Sequence, residues 1–126
     1  MTVGWGVIGL GEYADRHLMP AIMQSSNGKL VAVCHYRKDK AEFFASRNAA
    51  ERSYVSLQEM VSDPDVDVIA LCTPVNQHAE QGIQAAQAGK HVWAEIPMEA
   101  TVAAAEALVE GCRKAGVKLG VGFEHR

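Results

Sequence analysis

The run Val7-Ile8-Gly9-Leu10-Gly11-Glu12-Tyr13-Ala14 constrains this chain more than any other. It is a Gly-x-Gly-x-x-Ala turn directly behind an apolar strand supplied by Val3, Trp5, Val7 and Ile8. From Glu12 onward the residues read as a helix. Such a strand–turn–helix context is what separates a dinucleotide-binding fingerprint from a chance pair of glycines. Gly9 allows the tight turn, Gly11 removes the Cβ that would stand between backbone and pyrophosphate, and small Ala14 lets helix pack on strand. The diphosphate would meet amide groups at the positive end of the helix dipole. A purely structural glycine turn in another α/β protein is the alternative reading of the motif by itself.

The remainder of the chain repeats this strand-to-helix logic. Apolar runs of strand length alternate with helical patterns to the end of the chain, the signal for a parallel sheet with crossover helices. The spacing predicts a helix from about Glu12 to Ser26, kinked or split by Pro20, and a second strand over Lys29–Cys34. Asp39 is placed to cap a helix with apolar positions Ala41, Phe43, Phe44 and Ala45. Tyr54 and Val55 suggest a short third strand, and Ser56-x-x-Glu59 matches a capping box. Val66–Cys72 reads as a fourth strand, about Gln77 to Ala88 as a helix closed by Gly89, and His91–Ala94 as a fifth strand. Ala105, Leu108, Val109 and Cys112 recur at helical spacing and are expected to face the sheet. Gly116 ends that helix, and Val117–Val121 begins a sixth strand. The expected fold is α/β: a doubly wound parallel sheet, a Rossmann domain over residues 1–126.

A length of 126 residues with 48% hydrophobic content suits one domain with a core. The net charge of −3 offers no general attraction to nucleic acid or an anionic membrane, and no run approaches the ~20 apolar residues of a membrane span. The first strand begins within three residues, so no targeting peptide is visible and a cytoplasmic location is expected. Cys34, Cys72 and Cys112 are widely spaced in apolar surroundings, which favours buried free thiols over a disulfide frame or a metal site.

Ligands of doubly wound sheets lie beyond the carboxyl ends of the strands. The second strand ends in His35-Tyr36-Arg37-Lys38, where an NAD-preferring domain usually carries an acidic residue about 20 residues after the glycines. Here no Asp or Glu precedes Asp39, and a guanidinium suits a 2′-phosphate, so NADP is preferred, with NAD as the alternative. Tyr36 either covers the adenine or is an ordinary surface residue. The fourth strand ends Cys72-Thr73-Pro74-Val75-Asn76-Gln77-His78. Thr73 and Pro74 shape its turn, while Asn76 and His78 lie near a helix start, within reach of a ribose or nicotinamide. His78 is either a catalytic candidate or a capping and packing residue. Glu95, at the end of the fifth strand, is the second catalytic candidate, and a structural role is open for it too.

Taken together, these strand ends resemble the Gfo/Idh/MocA oxidoreductases, named for glucose–fructose oxidoreductase and inositol dehydrogenase. The likeness runs from Val3 to the end of the chain and is carried by the glycine turn, Thr73-Pro74-x-x-x-His78, Gly89-Lys90-His91-Val92 and Glu95-x-Pro97. The resemblance implies NAD(P)-dependent interconversion of alcohols and carbonyls on sugars, cyclitols and related compounds. It implies cofactor contacts for Gly9, Leu10, Gly11, Glu12, Tyr13, Arg37, Thr73, Asn76, His78 and Glu95. Members usually read Glu-Lys-Pro, with the lysine moving the hydroxyl proton, whereas this chain has Ile96. A Glu-Ile-Pro variant is similar to the branch containing carboxy-hydroxymuconate semialdehyde dehydrogenase, whose members oxidise a cyclic hemiacetal to a lactone with NADP. Members also carry a further α/β domain that floors the substrate pocket, and no such domain lies within these residues.

Two functions are expected on these grounds. One is the cofactor half of an oxidoreductase moving hydride between NADP(H) or NAD(H) and a sugar-like, cyclitol or cyclic hemiacetal substrate, inactive as an isolated chain. The other is a stand-alone dinucleotide-binding module, a sensor or docking unit without chemistry of its own.

Overall fold

In the computed structural model residues 2–95 and 97–122 are described. Strand β1 (Val3–Ile8) runs into the glycine turn, a π-helical turn (Ala14–Leu18) and α1 (Met19–Gln24). There follow β2 (Gly28–Cys34), α2 (Lys38–Arg47), β3 (Arg52–Tyr54), α3 (Leu57–Val61) and β4 (Val68–Leu71). A 3-10 turn (Val75–Gln77), α4 (His78–Gln87), β5 (His91–Glu95), α5 (Val102–Ala115) and β6 (Leu119–Gly122) complete the order. The strands form one parallel sheet in the order β3-β2-β1-β4-β5-β6. Chain order reverses between β1 and β4, so the carboxyl ends of those two strands open the crevice expected of a doubly wound sheet.

Each sheet face buries its own core. On one side Val7, Leu30, Val33 and Ala70 pack against Ala14, Met19 and Ile22 of the first helical segment and Ala45 of α2. On the other, Ile69, Leu71 and Val92 meet Met60, Ala85 and Leu108 from α3, α4 and α5. Val7, Ile69 and Leu71 are fully buried, as strands covered on both faces must be.

Several local expectations need correction. Pro20 neither splits nor sharply interrupts the helix; the turn before it widens, with Met19 N–H bonding Ala14 O, five residues back. Pro20 follows as the second residue of α1 within continuous helical backbone, so its missing N–H forfeits one helical bond beside the widened turn. Asp39 does not cap α2: Arg37, in extended backbone, is the N-cap, and Asp39 falls inside the first turn. Phe43 is 57% exposed and Val109 47% exposed. Rotation by about 100° per residue leaves Ala41/Ala45 and Leu108/Cys112 as the inward pairs and turns those two side chains out. The Ser56 cap forms as expected, its Oγ accepting the Glu59 amide at 3.2 Å. Gly89 and Gly116, with φ of 82° and 72°, close α4 and α5.

At the amino-terminal end of the sheet, Asp63 is buried and fully engaged. It accepts from Tyr54 Oη at 2.7 Å, Arg52 Nε at 2.8 Å and the Asp65 amide at 2.9 Å. This knot ties β3 to the turn before β4.

Candidate functional site

The crevice is built around Gly9. Its φ of 92° is left-handed, and a Cβ there would strike the Cys72 carbonyl carbon and the Thr73 nitrogen. Cys72 N–H bonds Ile8 O at 2.8 Å, so the loop after β4 lies flush on the turn after β1. Gly11 is different: a Cβ there would meet nothing within 4 Å. The first helical bond beyond it runs from Asp15 N–H to Gly11 O at 3.0 Å. Amides of a helix's first turn have no carbonyl four residues back, and this turn begins directly after the open space beside Gly11.

That space is a cavity of about 770 Å3. Among the sequence candidates it is lined by Gly9, Leu10 and Gly11, by His35 and Tyr36 after β2, and by Cys72, Thr73 and Pro74 after β4. Glu12, Tyr13, Arg37, Lys38, Asn76, His78 and Glu95 stand outside this lining. Sequence reasoning missed Val55, Leu57 and one face of α4 with its leading turn: Gln77, Glu80, Gln81 and Gln84. Their spacing of three and four was the available signal. Thr73 Oγ1 donates to Gln81 Oε1 at 2.5 Å, and Gln81 Nε2 donates to Gln77 Oε1 at 3.1 Å.

The rim after β2 carries the charge. Burial, reinforced by the Lys40 and Arg37 charges, holds His35 below the usual histidine value. Its Nδ1 accepts the Arg37 amide at 3.0 Å, so the neutral ring keeps its proton on Nε2. The His35 and Tyr36 rings stack with centroids 4.7 Å apart, and Tyr36 is 82% exposed. Arg37 Nη2 pairs with Asp39 Oδ2 at 3.0 Å in the open, an arrangement a stronger anion can replace.

The floor is apolar and inert. Burial and the Glu95 charge push the Cys72 thiol up to about 12, and burial and the Glu59 charge push Cys34 up to about 11. Thiols held this way are poor nucleophiles. His78 is 1% exposed and lies between two backbone carbonyls, Thr73 O at 2.8 Å from Nε2 and Met98 O at 3.1 Å from Nδ1. Glu99 accepts the Ala79 amide at 2.9 Å and the Ala100 amide at 2.6 Å. Burial would raise its carboxyl, but these two amides and the His78 charge outweigh that and hold it low. Ile96 lies outside the described residues. Among the described residues no group of His, Cys, Asp and Glu is placed to hold a metal, and no helix is long and apolar enough to cross a membrane.

A side-chain-free cradle at Gly9 and Gly11, an adjoining helix N-terminus, and a cavity running to the end of β2 fit a dinucleotide. Comparison with known proteins agrees. Residues 3–123 match the family model described as an oxidoreductase family with an NAD-binding Rossmann fold, the Gfo/Idh/MocA group. The chain belongs to this family.

Among Gfo/Idh/MocA relatives, a 1,5-anhydro-D-fructose reductase from Ensifer adhaerens is 34% identical over 97% of this chain and 36% of its own length. A 4-carboxy-2-hydroxymuconate-6-semialdehyde dehydrogenase from Sphingobium is 33% identical over 94% of this chain and 37% of its own. The 3-ketoreductase KijD10 from Actinomadura kijaniata, solved with NADP, superposes with a TM-score of 0.92 at 31% identity, over 98% of this chain and 39% of that one. The chain therefore spans little more than a third of the length of these relatives. Gfo/Idh/MocA domains bind NAD(P), and this one has the family's sheet and glycine turn.

Proposed function

We propose that this chain forms the cofactor half of an oxidoreductase that moves hydride between NADP(H) and a sugar-like, cyclitol or cyclic hemiacetal substrate. The observation that carries the reading is the open space over Gly11 beside the closed contact at Gly9. One glycine is required by the fold; the other leaves room that the fold does not use.

The residues divide the work by position. The turn at Gly9–Gly11 and the first helical turn, with Glu12 and Tyr13, receive the diphosphate. His35 and Tyr36 border the adenosine end of the cavity. Arg37, exchanging Asp39 for a dianion, and Lys38 give preference for a 2′-phosphate, so NADP binds more tightly than NAD. Thr73 and Pro74 form the opposite wall, with Asn76 close by on the 3-10 turn. Glu95 ends β5 beside Cys72, at the same edge of the sheet. When bound, the nicotinamide supplies or accepts the hydride; the hydroxyl proton must go to a protein group or water.

Support for the substrate class comes from the relatives' own activities, on an anhydrofructose and on a muconate semialdehyde. Titration calorimetry tests the nucleotide reading directly. Saturable 1:1 binding of NADPH, tighter than that of NADH, is expected. No binding of either nucleotide overturns the proposal, and equal affinities overturn the role given to Arg37. Coupled assays with sugars, cyclitols and ring-derived aldehydes then address chemistry, with turnover by this chain alone counting against its being only the cofactor half.

A further inference from the structure

His78 is a poor candidate for chemistry and a strong one for geometry. Its ring is almost completely buried, and both nitrogens face main-chain carbonyl oxygens, Thr73 O at 2.8 Å and Met98 O at 3.1 Å. Thr73 belongs to the loop after β4, whose backbone lies against Gly9 and lines the cavity. Met98 belongs to the loop after β5, downstream of Glu95. The imidazole thus stands behind the crevice wall with one edge on each loop.

We infer that His78 is a positioning residue that clasps the β4 and β5 loops together and so fixes the wall against which the nucleotide binds. The flat ring sets one nitrogen against each carbonyl, and whichever nitrogen carries the proton donates to the loop it faces. A second stitch joins the loop after β5 to the start of α4: Glu99, next to Met98, accepts the amide of Ala79, next to His78. Chemistry-bearing atoms near Glu95 and cofactor-contacting atoms near Thr73 then move as one body. The inference rests on the nucleotide reading above for its functional consequence, and on the ring's two nitrogen–carbonyl contacts for its structural content.

The test pairs two variants of the 126-residue protein. His78→Phe keeps the ring's bulk and removes both ring nitrogens. Asp63→Asn loosens the knot between β3 and the turn before β4, and neither Asp63 nor its partners Arg52, Tyr54 and Asp65 lines the cavity. At a temperature where both are folded, NADPH affinity by calorimetry should fall tenfold or more in His78→Phe and stay within twofold in Asp63→Asn. Affinity within twofold in His78→Phe, or an equal loss in both, overturns the clasp. Nitrogen-15 NMR of the unaltered protein reads the same point if His78→Phe does not fold. A coupling through a hydrogen bond from a His78 ring N–H to the carbonyl carbon of Thr73 or Met98 is expected. A ring with no such coupling overturns the clasp. Failure of the unaltered protein to bind NADPH would instead overturn the cofactor reading, so the two failures are distinct.

Discussion

Gly9 and Cys72 meet backbone against backbone, with no room for a single methyl group between β1 and the loop after β4. The contact closes the sheet at its switch point and leaves the adjoining turn at Gly11 open. Fold and binding therefore depend on different glycines, and substitution separates them.

Gly9→Ala must place a Cβ into the Cys72 carbonyl while holding a φ of 92°. The cost of strain and clash together is about 3 kcal/mol or more. Thermal or urea unfolding should show that loss, with nucleotide binding reduced in step. A variant as stable as the parent contradicts the geometry.

Gly11→Val has the opposite signature. Its side chain meets open space, so stability should change by no more than about 1 kcal/mol. NADPH and NADH binding should both disappear by calorimetry, because the branched side chain occupies the diphosphate path. Retained affinity in a well-folded Gly11→Val protein would place the nucleotide elsewhere.

Arg37 and Asp39 give a cofactor-specific test. Arg37→Ala should weaken NADPH about 10- to 100-fold, the worth of a charge-assisted contact, while NADH changes little. Asp39→Ala frees the guanidinium from its exposed partner, so NADPH should tighten by up to about fivefold. Parallel effects on both nucleotides would assign Arg37 to some other part of the cofactor.

The cavity thiols should be silent. With Cys72 near 12 and Cys34 near 11, less than about one molecule in a hundred carries either thiolate at pH 8. A disulfide reagent should label them in the native protein far more slowly than in urea. Rapid native labelling of Cys72 would show a more open or more polar floor.

Asp63 makes stability depend on acid. Burial alone would raise its carboxyl, but hydrogen bonds from Tyr54 and the Asp65 amide and the Arg52 charge hold it below the usual 3.8. A depressed folded-state value means the stabilisation is complete above the ordinary value and is lost as pH falls through the folded one. Asp63→Asn should cost about 3 kcal/mol at pH 7, and the gap from the parent should close toward pH 2. A gap that stays constant with pH would assign the loss to packing.

Local order in the chain fixed the alternation of strands and helices, the glycine turn and its neighbours, the Ser56 cap and the helix-ending glycines. These features depend on residues within a few positions of one another, so pattern and spacing reveal them. What tertiary structure decided is what lies across from each residue. Helical spacing counted Val109 as inward and named Phe43 among the apolar positions of α2, but the sheet and α4 cover only narrower stripes of α2 and α5. It gave no sign that His78 would reach Met98, 20 residues away. That meeting exists only once β4 and β5 lie side by side in one sheet, because a hydrogen bond needs its two ends within about 3 Å and only the fold brings them there.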